Sequence, residues 1–144
     1  MPIPEFNDAG NLPAGIHHAN WQEVKAKLAF NERRQELLQG MRRACEPLKM
    51  AGCPSIFIGG SLATNKEFPG DFEICWQDDT VNCFKLQSLD PVLLDFKHKR
   101  AAQKAKYGGE LFPASLSADG YRTYLEFFQI DQNGEVKGII AVDL

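Results

Sequence analysis

The chain has 144 residues, 44% of them hydrophobic and 24% charged, which is the size and make-up of one globular domain. That excludes a large multidomain enzyme with its own regulatory modules, and it excludes wholesale disorder. A net charge of −3 argues against coating nucleic acid by bulk charge, and no run approaches the ~18 apolar residues of a membrane span.

Residues 1–19 are rich in Pro, Gly and Asn and read as an extended N-terminal arm that lies on the body or reaches a partner. Residues 20–144 read as a single domain. Met1-Pro2-Ile3-Pro4-Glu5 lacks the basic start and apolar run of a signal peptide. Cys45, Cys53, Cys75 and Cys83 form no CxxC pair and are spaced too widely for zinc knuckles. They read as reduced thiols, and a cytoplasmic protein is expected. His17-His18 has no metal partner nearby in sequence and reads as arm packing or solvent exposure.

Asn20 is a helix cap for a short helix to about Leu28. Asn31 caps a longer helix on which Leu37, Met41, Ala44, Cys45 and Leu48 recur at helical spacing. Arg33, Arg34, Glu36, Arg42, Arg43 and Glu46 are expected to face water. Pro47 should kink or shorten the last turn, and Gly52 should stop the helix. Ser55 to Ile58 reads as a buried strand ending at Gly59-Gly60, and Asp71 to Trp76 as a second strand of period two. Gln77 to Leu89 is expected to be loop with a short helical piece, and Asp90-Pro91 to start a helical turn. Lys97 to Tyr107 reads as a helix stopped by Gly108-Gly109, and Glu110 to Phe112 as a third strand. Tyr121 to Ile130 is ambiguous and favours helix, with Tyr124, Phe127 and Phe128 packing in the core. Val136 to Val142 reads as a final strand.

The segment richest in chemistry is Gly59-Gly60-Ser61, then nine residues, then Asp71-Phe72-Glu73. A triphosphate needs backbone N–H groups that approach closely, and glycine permits that approach. A divalent metal needs carboxylates on one face of a strand, and positions i and i+2 supply it. Asp71 and Glu73 have that spacing, and the Ser61 hydroxyl could meet a phosphate oxygen. Lys66, in the loop after Ser61, is a further candidate for the triphosphate. A third carboxylate would complete a two-metal site. Glu110 is favoured because it starts a strand; Asp95, at a helix end, is the rival. No G-x-S-x-G elbow surrounds Ser61, so a serine hydrolase is not indicated. Lys97, Lys99, Arg100, Lys104 and Lys106 form a basic run that reads either as a solvated helix face or as a platform for a triphosphate, an RNA end or an acidic partner.

The stretch Gly60-Ser61 to Asp71-Phe72-Glu73 resembles the signature of minimal nucleotidyltransferases of the DNA polymerase β superfamily: Gly-Ser, a spacer, then Asp-x-Asp or Asp-x-Glu. Lys106 to Pro113 resembles the family's third-carboxylate strand, with Glu110 where Asp is usual. The superfamily likeness covers roughly residues 31–113. Nearly the whole chain is similar to a group of small bacterial nucleotidyltransferase-like proteins that share the segments Leu89 to Phe96, Tyr107 to Pro113 and Lys137 to Ile140. The resemblance implies an α/β (α+β) nucleotidyltransferase-like fold, a small mixed sheet packed with helices. It implies Mg²⁺ on Asp71, Glu73 and Glu110, and an NTP, by default ATP, near Gly59, Gly60, Ser61 and Lys66. The implied reaction moves NMP to a hydroxyl on a protein or RNA partner, in some relatives as an antitoxin-like module. The alternative is a catalytically inactive binding or regulatory protein on the same fold.

Overall fold

Two asparagines start the first two helices, and the computed structural model, which describes residues 3–144, shows how. The Asn20 side chain accepts from the Glu23 amide at 2.8 Å while Glu23 reaches back to the Asn20 amide at 3.1 Å, a closed capping box for α1 (Trp21–Leu28). Asn31 accepts from the Arg34 amide and opens α2 (Glu32–Met50). The helix runs through Pro47 to Met50 and stops before Gly52, the stop expected from the sequence. Its apolar stripe, Leu37, Met41, Ala44, Cys45 and Leu48, is buried.

The five strands are β1 (Ile16–His18), β2 (Ser55–Gly59), β3 (Phe72–Trp76), β4 (Gly109–Pro113) and β5 (Ile139–Asp143). They form one mixed sheet in the order β1-β5-β2-β3-β4. β5 and β3 both run antiparallel to β2, while the outer pairs β1–β5 and β3–β4 are parallel. Between β3 and β4 lie α3 (Cys83–Leu89), a tight turn at Pro91–Leu94 and α4 (Lys97–Tyr107). The protein is therefore a mixed α and β domain: a five-stranded mixed sheet packed with helices.

Period-two alternation sorts the sheet into two faces. Ile56, Ile58, Phe72, Ile74, Trp76, Leu111, Ile140 and Val142 are buried in the main core with the helices. Each fully buried Leu or Ile contributes about 1.5–3 kcal/mol. α2 packs on β3, α3 and α4. It meets α4 closely at Gly40, where any Cβ would overlap the Tyr107 carbonyl. On the opposite face Cys75, Phe112, Ala114, Phe128 and Ile139 form a smaller cluster, partly roofed by the short α5 (Tyr124–Phe127).

The N-terminal stretch lies on the body, one of the two arrangements expected of it: Ile3 and Leu12 are buried, and Ile16 to His18 adds an edge strand beside β5 that the sequence did not suggest. Met1 and Pro2, the start of the expected arm, lie outside the described residues. Three further details differ from the sequence reading. The final strand begins at Ile139, because the Lys137 amide bonds to the Gln129 carbonyl and the Gly138 amide to that of Leu12. The expected helix at Tyr121–Ile130 shrinks to four residues. Asp119 captures the Tyr121 and Arg122 amides in a turn, and the Thr123–Glu126 capping box starts the helix only after it. Tyr124 and Phe128, one helical turn apart, both reach Phe112, whereas Phe127 stays 45% exposed. Finally, Arg34 does not face water; its side chain is fully buried.

The four thiols are free; Cys45, Cys53 and Cys75 are buried and Cys83 is exposed. His17 turns its ring to the Pro13 carbonyl at 2.7 Å. No helix among the described residues is long and apolar enough to cross a membrane.

Candidate functional site

β3 and β4 are parallel neighbours, and their register sets Glu73 opposite Glu110. Asp71 lies two residues before Glu73 and so shares its face. One carboxylate oxygen from each of Asp71, Glu73 and Glu110 falls within 4.8 Å of the other two. This is the outer, less apolar face of the sheet, at the end away from the small cluster's centre. Asp95, the rival third carboxylate, caps the Lys97 amide at 3.1 Å and borders a separate hollow with Leu94 and Phe96. It is not part of the trio.

Burial and neighbouring like charges disfavour the ionised forms of Asp71 and Glu73. Burial pushes the Asp71 carboxyl above its usual range, with Glu110 adding to the effect. Glu73 is raised by burial, then by Glu110 and Asp71. Cations answer them. Arg100 Nε donates to Glu110 Oε2 at 2.6 Å, and Lys104 Nζ lies 4.0 Å from Glu110 Oε1. Lys137 lowers the proton affinity of Glu73, and Arg33 that of Asp71.

Gly60 holds the turn that follows β2. Its φ is +62°, and a Cβ there would overlap the Glu73 carboxylate. The glycine expected to admit a phosphate therefore also admits Glu73 against the turn. Gly59 instead sits beneath the Phe128 ring and lines neither neighbouring cavity. Gly60, Glu73 and Lys137 stand between two cavities. One, about 460 Å³, is polar and includes Ser61, Thr64 and Lys66. The other, about 310 Å³, is walled by Phe112, Tyr124, Phe127 and Phe128 and reaches Arg100 and Glu110. Phe112 and Tyr124 stack at 4.1 Å, with Phe128 edge-on to both.

Two adjacent arginines of α2 hold the loop that links the glycine turn to Asp71. Arg33 donates to the Pro69 carbonyl at 3.1 Å and also to that of Gly70. Arg34 donates to the carbonyls of Leu28, Leu62, Thr64 and Lys66, the Leu28, Leu62 and one Thr64 contact each at 2.6 Å. Among the described residues no carboxylate pairs with it. Burial pushes its guanidinium down to about 10, still protonated at neutral pH. A buried charge is tolerated when its donors are all used, and four carbonyls use them here.

The basic run does not form one continuous helical face. His98, Lys99 and Arg100 have φ of 52°, 56° and 60°, a left-handed turn that precedes the regular part of α4. Such a conformation costs about 1–2 kcal/mol for each non-glycine residue. It delivers Arg100 to Glu110 and lays its guanidinium over the Phe112 ring, 5.2 Å from the centroid. Lys106 pairs with buried Asp90 at 3.0 Å, whereas Lys97 and Lys99 are exposed.

The geometry thus brings together Asp71, Glu73, Glu110, Gly60, Ser61 and Lys66, while Gly59 pairs with Glu73 across the strands but lines neither cavity. Sequence reasoning missed Lys137, the roles of Arg33 and Arg34, and the pairing of Arg100. Three anionic oxygens suit a hard divalent cation such as Mg²⁺ or Mn²⁺, and nothing soft competes in the trio.

No curated protein and no solved structure matches the chain significantly. A family model does match, over residues 4–143, and its description is Family of unknown function (DUF6932). With nearly its whole length aligned, the chain belongs to that family.

Proposed function

We propose that the protein is a Mg²⁺-dependent nucleotidyltransferase that moves NMP, by default AMP, from an NTP to a hydroxyl on a protein or RNA partner. One observation carries this reading: Asp71, Glu73 and Glu110 converge within 4.8 Å on adjacent strands, beside the Gly60-Ser61 turn. The resemblance of that segment to minimal nucleotidyltransferases of the DNA polymerase β superfamily supports it. Asp71, Glu73 and Glu110 would hold the metal, which when bound supplies positive charge for an in-line displacement at phosphorus. Ser61, Lys66 and Lys137, around the polar cavity, offer a hydroxyl and two ammonium groups to a triphosphate. Phe112, Tyr124, Phe127 and Phe128 wall the cavity on the other side of Glu73. In the reaction the acceptor oxygen bonds to the α-phosphorus and the bond to the β-phosphate oxygen breaks. Pyrophosphate leaves with that electron pair, and the acceptor's proton is lost to solvent. The same reading assigns the protein to the cytoplasm.

The test is thermal stability with Mg²⁺ and ATP together. At a hundredfold excess over the dissociation constant, binding adds about 2.7 kcal/mol. The stabilisation should vanish in Asp71→Asn. No shift in the parent protein would sink the enzyme reading.

The Arg100–Glu110 ion pair at 2.6 Å favours a second reading, a binding or regulatory protein in which a guanidinium stands permanently where a metal would. That reading expects no divalent cation to bind. RNA binding through the basic run is weakened, because Arg100, Lys104 and Lys106 are already engaged by Glu110 and Asp90.

A further inference from the structure

We propose that Arg100 is an exchangeable counter-cation: its guanidinium holds Glu110 in the metal-free protein, and a divalent cation takes its place, releasing the left-handed turn His98–Arg100. The inference rests on the metal-site reading above and concerns how that site is kept ready.

Glu110 is 8% exposed and sits beside two other carboxylates, so its ionised form needs a neighbouring cation. Arg100 meets that need from outside the sheet. Its bond to Glu110 runs through Nε alone, and the side chain is 28% exposed at the mouth of the aromatic cavity. It can therefore swing away without unpacking the core. A ligand built into the site for good would be expected on a regular element. Arg100 instead rides on three successive residues in a conformation that L-residues rarely adopt. Such backbone persists only while surrounding contacts hold it. The His98 and Lys99 side chains are exposed, so the side-chain contacts within the turn that hold it are those of Arg100 with Glu110 and the Phe112 ring, after Asp95 has bonded the Lys97 amide at its start. A divalent cation on the trio removes the first of these by repulsion and by occupying the Glu110 oxygens. Lys104, at 4.0 Å, is displaced in the same way but comes from the regular part of α4.

The experiment is Mn²⁺ binding without nucleotide, read from the spin-resonance signal of free Mn²⁺, in the parent, Arg100→Gln and Asp71→Asn proteins. Competition makes Arg100→Gln bind about tenfold more tightly than the parent, the equivalent of one charge-assisted hydrogen bond. Asp71→Asn should lose binding. Amide hydrogen exchange of the full parent chain supplies a second readout: Mn²⁺ should speed exchange across residues 97–101. Should Arg100→Gln fail to fold, Arg100→Lys reads the same competition with a smaller gain. Equal or weaker binding in the Arg100 variants, with Asp71→Asn still losing it, overturns the exchange and leaves the metal site standing. No Mn²⁺ binding in any protein overturns both.

Discussion

Replacing Arg34 by methionine tests whether the buried guanidinium organises the loop beneath the site. Its contacts with the Leu28 and Leu62 carbonyls, each 2.6 Å, are buried. A hydrogen bond from a charged donor contributes about 1.5–3 kcal/mol, so these two alone supply about 3–6 kcal/mol. Removing a buried charge that has no carboxylate partner returns part of that. The expected net loss is about 2–4 kcal/mol. A domain of this size has about 5–15 kcal/mol of stability, so the variant should still fold. Urea unfolding is the assay. The midpoint should fall by about 1–2 M at unchanged slope. Arg34→Lys should be no better, because an ammonium cannot serve carbonyls on several sides in the fork geometry of a guanidinium. Trypsin should also cut faster after Lys66, whose carbonyl Arg34 holds at 3.2 Å. An Arg34→Met protein as stable as the parent would refute the argument. It would mean that the buried charge is a burden better replaced by apolar packing.

Gly60→Ala should destabilise by about 1–3 kcal/mol and abolish Mn²⁺ binding, since the residue has φ of +62° and its Cβ would meet the Glu73 carboxylate; unfolding and Mn²⁺ titration check the two effects. The pH dependence follows from the raised carboxyls of Asp71 and Glu73. The native state binds more protons than the unfolded chain between their ordinary and raised values, so in EDTA stability falls as pH rises through that window. Asp71→Asn should flatten this part of the profile. Asp90 works in the opposite sense. Burial opposes its ionisation, but bonds from Tyr107, Lys106 and the Val92 amide outweigh burial and hold it below its usual range. Its stabilisation is present at neutral pH and lost as pH falls through its folded-state value, a loss that Asp90→Asn should not show. A thiol reagent should label Cys83 alone in the native protein. Cys45 and Cys53, pushed by burial up to about 12 and about 11, and buried Cys75 should react only on unfolding.

The carboxylate trio was legible because strand period alone puts Asp71 and Glu73 on one face. The position of Glu110 at the start of a strand then made it a better partner than Asp95. Helix starts at Asn20 and Asn31 were legible because capping is a local interaction. What escaped was long-range. β1 is three residues long and carries no period, and it exists because β5 offers a free edge. Arg34 reads as a surface residue on the charged side of its helix, and only the folded loop supplies the carbonyls that bury it. The left-handed turn at His98–Arg100 opposes local propensity outright. No composition rule places three non-glycine residues there, and the contacts of Arg100 explain why they stay. Lys137 lies far from the motif in sequence and reaches it only through the sheet order.

That sheet order has a consequence for how the protein is made. β5 lies between β1 and β2, so β1, the earliest made of these five strands, has no neighbour in this sheet to pair with until Ile139–Asp143 has also emerged. Asp71, Glu73 and Glu110 are all synthesised well before that moment. A nascent chain can thus carry the full set of carboxylates while half its sheet is still unpaired, leaving the Ser55–Gly59 edge open to neighbouring polypeptides. Completion of the sheet is timed by its last strand in sequence, and a stalled chain lacking those five residues would be a ready substrate for chaperones.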